Sequence, residues 1–454
     1  MTEYSVKKTE NRPLSSKKKV LVVTTVGSTV DQFVMPSIRL LVEMGFEVSV
    51  ACNFLEGNTC TDLQINRMKK RFEEMGVKYH QIDYCRSILK FHRILKGHRQ
   101  LKKLISEEHF DIIHCHTPIA GAVIRTLANK DRKAGRTKVV YTAHGFHFYK
   151  GSSLPTWLVF YPVEKFCSRM TDVLITINTD DYELSKRKMK AGKIVLIPGI
   201  GVDIEGIQKR LPGEEEKEEF RKYLGLYDET MRDSENKAGS DGDSSKKGTF
   251  ENYNSNGSIE EKNDLMESTD RVDRYANIKK MFLSVGELNK NKNHQIVLKA
   301  LAELKEKKPG LEWKYFICGK GVLKDELARL AESLKIGDRV VFTGFTDEIM
   351  KYYACADLFI FPSYREGLSV AVMEAIAAKL PVICSDIRGN REQVPAEARF
   401  DPTDSGEICD KILKFLEPET AEKAVNDNLE LLQKCRMDRV TELLREVYEG
   451  LETE

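Results

Sequence analysis

Asp357-Leu358-Phe359-Ile360-Phe361-Pro362-Ser363-Tyr364-Arg365-Glu366-Gly367-Leu368-Ser369-Val370-Ala371-Val372-Met373-Glu374 reads as a strand, a glycine turn and the start of a helix. The apolar run stops at Pro362, and Ser369 is a residue type that caps helices. Small residues where a strand meets a helix let backbone amides approach an anion, and the helix N-terminus adds partial positive charge. Glu366 and Glu374 stand with seven residues between them. Glu374, about one turn past the Ser369 cap, reaches a hydroxyl-rich part of the same ligand. A diphosphate joined to sugars fits both ends.

The same strand-turn-helix grammar extends in both directions. Apolar strands are expected at 281–285, ending at Gly286, and at 313–318, ending at Gly319, with a helix over 294–307 between them; 339–342 and 381–384 continue the series. Upstream, 18–25 is a strand ending near Gly27, followed by a helical pattern through Phe33, Ile38, Leu41 and Val42 that stops at Gly45. Further strands are expected at 46–51, 111–116, 139–144, 172–177 and 194–198. Continuous apolar strands alternating with helices form parallel sheets covered on both faces. The fold class is α/β, with two tandem Rossmann-like doubly wound domains.

Composition sets the boundaries and excludes several functions. At 454 residues the chain is long for one core. Residues 1–16 read as a flexible tail, 17–200 as the first domain, 201–227 as a connection and 274–416 as the second domain. Residues 228–273 are polar, almost without apolar side chains, and read as a disordered insertion; 417–454 reads as helix throughout, packing back across the domains. A net charge of +2 with 31% charged residues argues against nucleic acid as a partner. No stretch approaches the roughly 20 apolar residues of a membrane span, and the Lys-rich start lacks an apolar signal core, so a cytoplasmic location is expected. Ten scattered cysteines without a C-x-x-C pair read as reduced thiols, not a disulfide or zinc framework.

Five motifs in order carry a family resemblance. They are Asp111-Ile112-Ile113-His114-Cys115-His116-Thr117-Pro118, Tyr141-Thr142-Ala143-His144-Gly145, Ile197-Pro198-Gly199-Ile200-Gly201-Val202-Asp203, Val285-Gly286-Glu287 with Lys292, and the glutamate pair. The chain resembles the family 4 retaining glycosyltransferases, and the run Thr142-Ala143-His144-Gly145-Phe146-His147-Phe148-Tyr149-Lys150-Gly151 further resembles bacterial enzymes of capsule and exopolysaccharide assembly. The resemblance implies a GT-B arrangement, two domains facing across a cleft, with the acceptor on the N-terminal side and the nucleotide-sugar on the C-terminal side.

The resemblance also implies roles for particular residues. Glu374 takes the ribose hydroxyls, Glu366 lies by the donor sugar and leaving phosphate, and the amides of Gly367, Leu368 and Ser369 cradle the distal phosphate. Lys292 supplies positive charge against the diphosphate, and His144 faces the donor sugar; His116 is a weaker candidate. Gly27 lets backbone approach phosphate or acceptor, Gly286 and Gly319 line the nucleotide pocket together with Gly321, and Gly344 and Phe345 lie nearer the base. No metal and no cofactor is expected. One position departs from the family's Gly-Arg pattern, since Gly286 is followed by Glu287. A carboxylate there repels phosphate unless it points away or pairs with Lys290 or Lys292. Lys292, helped by Lys320 or Arg365, is then the expected cation.

A second feature concerns the acceptor. Residues 86–103 contain no acidic residue and mix Arg86, Lys90, Arg93 and Lys96 with Phe91 and other apolar side chains. That is the pattern of a helix lying on an anionic membrane surface, although a solvated helix with an inward stripe has the same composition. Phe146, Tyr149 and Trp157 crowd another segment that either packs a core or receives a lipid tail. A polyprenyl-diphosphate-linked acceptor accounts for both segments and implies a peripheral location on the inner face of the cell membrane. Three functions compete: a hexosyltransferase retaining configuration and using a nucleotide-sugar donor such as a UDP-sugar, a UDP-sugar 2-epimerase of similar fold, and a non-catalytic sugar-nucleotide-binding protein.

Overall fold

The computed structural model describes residues 17–57, 60–85, 90–149, 151–227 and 279–453. The expected tail at 1–16, the polar insertion at 228–273 and Arg86 lie outside the described residues. By its contacts the chain divides into two compact units. The first runs to Asp203 and includes Glu366–Leu368 and Gln433–Glu454; the second comprises Ile204–Arg365 and Ser369–Leu432.

The first unit holds a seven-stranded sheet in the order β3-β2-β1-β4-β5-β6-β7. Its strands are β1 (Lys19–Val26), β2 (Glu47–Asn53), β3 (Lys78–Gln81), β4 (Ile112–His116), β5 (Lys138–Ala143), β6 (Val173–Thr176) and β7 (Lys193–Leu196), and all its pairings are parallel. Helices α1 (Met35–Glu43), α2 (Asp62–Glu74), α3 (Phe91–Glu107), α4 (Pro118–Lys133), α5 (Leu154–Ser168) and α6 (Thr179–Lys188) connect them. Strand alternation explains why apolar runs are continuous here. Val20 and Val22 of β1 pack with Ile38 and Leu41 of α1, whereas Leu21 and Val23 pack with Leu101 of α3 and Ile124 of α4.

The second unit repeats the design with six parallel strands, ordered β10-β9-β8-β11-β12-β13. These are β8 (Lys280–Val285), β9 (Trp313–Cys318), β10 (Val340–Gly344), β11 (Leu358–Phe361), β12 (Val382–Ser385) and β13 (Arg399–Phe400). Its helices are α7 (Ile204–Lys209), α8 (Glu214–Tyr223), α9 (His294–Lys307), α10 (Lys324–Ser333), α11 (Ile349–Cys355), α12 (Val370–Ala377), α13 (Ser405–Phe415) and α14 (Pro418–Leu432). In each sheet the strand order reverses next to the first strand, between β1 and β4 and between β8 and β11. The crevice outside the strand ends at such a switch point is where doubly wound sheets take ligands.

Two differences from the sequence reading have clear causes. The edge strands β3 and β13 were not expected, because Lys78-Tyr79-His80-Gln81 is polar and β13 has two residues. The C-terminal stretch is not one helix: α14 stops at Leu432, and α15 (Met437–Thr453) begins after a 3-10 turn at Gln433–Cys435. Val202 interrupts it, accepting from Met437 N at 3.0 Å and donating to Cys435 O at 2.8 Å. Helix α15 then packs Val440, Leu444 and Tyr448 into the first unit's core.

Candidate functional site

The strand before the glutamate motif, β11, and the helix that carries Glu374, α12, belong to the second unit, with β11 at the switch point of its sheet. β11 pairs directly with β8, so the loop after Phe361 emerges beside the loop after Val285. Hydrogen bonds lock the two together. Tyr364 N donates to Asn291 O at 2.8 Å, Asn291 Nδ2 to Arg365 O at 2.9 Å, and Asn293 Nδ2 to Pro362 O at 3.2 Å. From behind, Ser385 Oγ donates to Ser363 O at 2.6 Å and buried Gln393 Nε2 donates to Ser369 O at 3.2 Å. Ser369 Oγ in turn caps α12, accepting from Val372 N at 3.4 Å.

Glu374 lies in the second turn of α12 and is largely withdrawn from water. The phenol of buried Tyr353 donates to its Oε2 at 3.2 Å. Burial raises the carboxyl's pKa above its ordinary value, while the Tyr353 hydrogen bond and the charge of Arg210 pull the other way. The result is a carboxylate whose direction is fixed and whose remaining oxygen capacity suits a diol. Neither Tyr353 nor Gln393 was singled out from sequence: Tyr352-Tyr353 reads as core, and Gln393 follows a short 3-10 turn.

Three glycines shape the strand ends. A Cβ on Gly319 would collide with the Gly286 carbonyl oxygen, and one on Gly321 with that of Leu288. The loops after β8 and β9 therefore close to backbone contact, joined by Gly286 N to Cys318 O at 3.0 Å and Leu288 N to Lys320 O at 2.9 Å. A Cβ on Gly286 would stand 3.3 Å from Cδ and Cε of Lys292, whose stem crosses this glycine. The Lys292 ammonium sits 4.9 Å from the Phe361 ring centroid, at the ends of both switch-point strands. Glu287 is exposed and ion-pairs with neither Lys290 nor Lys292 among the described residues, so pointing into solvent is what keeps its charge away. Gly344 has φ +73, and Phe345 after it is exposed.

The switch point of the first sheet is built differently. Gly27 opens the helical turn directly after β1, and Thr117 follows β4 with φ 66 and ψ 143, an uncommon backbone state for a branched residue. Thr25 Oγ1 and Thr117 Oγ1 hydrogen-bond at 2.7 Å. Beside them, His116 Nδ1 lies 3.0 Å from His144 Nε2, and their rings stack at 5.2 Å. His114 lies tilted against His116 with ring centroids 4.2 Å apart, its Nδ1 2.7 Å from the Tyr448 hydroxyl and its Nε2 2.8 Å from Thr142 Oγ1. Burial lowers all three pKa values, to about 3 for His114 and about 4 for His144, so all are neutral at pH 7. His116, a minor candidate from sequence, is the direct partner of His144.

A cavity of about 170 Å³ opens beside His144, lined by Pro118, Phe146, His147, Phe148 and Phe160, with Glu164 among its polar groups. Glu164 accepts from Tyr141 Oη at 2.9 Å and Arg125 Nη2 at 2.8 Å, and the guanidinium lies 3.9 Å over the Tyr141 ring. Gly367, counted with this unit, approaches the His144 carbonyl oxygen so closely that a Cβ would collide with it; Asn178 Nδ2 donates to Gly367 O at 3.4 Å. Leu368 is buried and Glu366 partly buried.

The residues expected at a membrane divide. Phe146 is buried, stacked on Phe148 at 4.8 Å, and therefore presents no outward surface. Trp157 packs inward on Phe148, its indole donating to Tyr149 O at 3.2 Å. Phe91 and Lys90 are exposed. Arg93 is held by both oxygens of Glu56, and Lys96 by Asp83 at 2.7 Å, so these two cations are already partnered.

Comparison with known proteins identifies the family and the fold. Residues 33–205 match the model described as Glycosyltransferase Family 4, and residues 267–430 match Glycosyl transferases group 1. EpsD of Bacillus subtilis (strain 168), named as a glycosyltransferase, is 33% identical over 376 residues, 83% of this chain and 80% of its own. The Escherichia coli UDP-Gal:alpha-D-GlcNAc-diphosphoundecaprenol alpha-1,3-galactosyltransferase is 25% identical over 366 residues, 80% of this chain and 77% of its own. The crystal structure of Anabaena HepE in complex with UDP-glucose matches in fold with a TM-score of 0.66 at 15% identity, covering 95% of this chain and 99% of that one. The chain belongs to the family 4 glycosyltransferases, with the two parallel-sheet Rossmann-like domains of the GT-B type.

Proposed function

We propose that the protein transfers a hexosyl group, with retention, from a UDP-sugar to a polyprenyl-diphosphate-linked saccharide during exopolysaccharide or capsule synthesis. The observation that carries this reading is the switch point of the second sheet, where Glu374 is aimed by Tyr353 and Lys292 lies across the ends of β8 and β11. Glu374 accepts from the two ribose hydroxyls. The amides of Gly367, Leu368 and Ser369 and the Lys292 ammonium stabilise the diphosphate as it departs, when its charge is largest. Lys292 takes the place of the missing arginine. Phe345 stacks near the base, and Glu366 steadies positive charge at the anomeric carbon.

Retention results when the acceptor hydroxyl attacks from the face the phosphate leaves, with that phosphate taking the proton. His144, neutral at working pH, hydrogen-bonds the donor sugar without adding charge. The positive charge comes from Lys292 and backbone amides, so turnover should survive EDTA without added metal. The galactosyltransferase relative carries a UDP-sugar donor and a diphosphoundecaprenol acceptor in its name, which supports both substrate classes. The expected location is the cytoplasmic face of an anionic membrane. A panel of UDP-sugars, scored by UDP release, tests the reading: one donor should turn over faster when a lipid-linked monosaccharide is present. Acceptor-independent conversion of donor to an epimer, or no turnover of any donor, would remove it.

A further inference from the structure

Helix α5 exposes an apolar stripe that no other described element covers. Leu154 is 70% exposed, Leu158 67%, Val159 48%, Val163 46% and Phe166 55%. Pro155 and Pro162 lie exposed in the same stripe. The helix is apolar on its other side too, where Trp157 and Phe160 pack into the core, and its acid, Glu164, is buried against Arg125. A 15-residue helix is too short to span a bilayer, and no described helix is long and apolar enough to do so. An apolar face this continuous on a surface helix marks a contact surface.

Charge decides what covers it. Helices α3, α4 and α5 pack side by side on one face of the sheet, α3 against α4 and α4 against α5. Helix α3 carries Arg93, Lys96, Arg99, Lys102 and Lys103 against one acid, Glu107. Phe91, Leu95, Arg99 and Lys102 are exposed, and Arg99 and Lys102 make no ion pair with any described residue. One helix layer thus offers bulky apolar side chains beside unpaired cations. A second copy seated on the layer would bring another cationic α3 with it. An anionic lipid surface brings the opposite charge and an apolar interior.

We infer that the outward stripe of α5 embeds in the interfacial region of an anionic membrane, with α3 supplying the electrostatic attraction. This assigns insertion to Leu154, Leu158, Val163 and Phe166, and attraction to Arg99 and Lys102. The inference rests on the proposed lipid-linked acceptor for its purpose, but it is measured independently of turnover.

Flotation of the full chain with phosphatidylcholine vesicles containing phosphatidylglycerol is the test, with UDP titration of the same proteins as a check on the nucleotide site. Wild type should float with anionic vesicles and much less with pure phosphatidylcholine. Leu158→Glu with Phe166→Glu should lower vesicle partitioning by about tenfold or more at unchanged UDP affinity. Leu154→Ser with Val163→Ser, a milder pair, should lower it in the same direction. Arg99→Glu with Lys102→Glu should remove the preference for anionic lipid. The inference is overturned if wild type does not float, if both α5 variants float like wild type, or if light scattering finds a dimer that the α5 variants dissociate. Flotation without UDP binding would instead overturn the proposed function and leave the membrane face standing.

Discussion

The two switch points use one fold to make opposite electrostatic environments. At the first sheet the strands β4 and β5 lead to three neighbouring neutral histidines, beside an aromatic cavity and a buried ion pair borne by α4 and α5. At the second the strand ends carry a lysine, closely zipped glycine loops and a carboxylate held by a phenol. On the proposed function, the first contacts uncharged hydroxyls and the second holds a diphosphate and a diol. The difference lies in the loops at the strand ends, since the strands themselves are interchangeable apolar runs.

Removing groups from each region should sharpen that contrast. The largest expected effect is Arg125→Ala, which leaves Glu164 buried without its cation and should cost about 3–5 kcal/mol of stability in denaturant titration. Lys292→Ala should leave the fold intact and lower transfer by about 10²–10³-fold, because one partly exposed cation is lost from the departing diphosphate. Wild-type activity in that protein would break the assignment of the second switch point.

Smaller effects separate the aim of Glu374 from its charge. Glu374→Gln should weaken UDP binding by about ten- to a hundredfold, as expected for hydrogen bonds to a charged acceptor. Tyr353→Phe keeps the charge but frees its direction, so its loss should be about three- to tenfold in calorimetry.

The regions should also respond oppositely to acid. His114 and His144 have folded pKa values of about 3 and about 4, below the unfolded value of 6.5, and that of His116 is lowered too. The unfolded chain then binds more protons, so stability should fall as pH drops below about 6.5. Glu374 has a raised folded pKa, so its contribution to stability is present at low pH and is lost as pH rises through that value. UDP binding needs its ionised form and should weaken as pH falls through the same window.

Much of this was legible in the sequence because parallel strands buried on both faces are unbroken apolar runs. Residues 313–318 and the helix at 294–307 were found at the bounds the structure gives. The Ser369 cap was readable from its place before an apolar helix. Partners that act across the fold were not. Tyr353 stands 21 residues before Glu374 and looks like core, and Gln393 reaches Ser369 from 24 residues beyond it. The cationic segment around Arg93 fits a membrane helix or a solvated one, and no local pattern announces that Arg93 pairs with Glu56 and Lys96 with Asp83. The direction each aromatic of α5 faces was equally hidden, because the helix is apolar all round.

The division of labour between the two switch points is tested most directly by titrating UDP into Glu374→Gln and His144→Ala proteins. Glu374→Gln should lose UDP affinity, whereas His144→Ala should bind UDP as wild type does. Equal weakening in His144→Ala, or undiminished binding in Glu374→Gln, would contradict that division of labour.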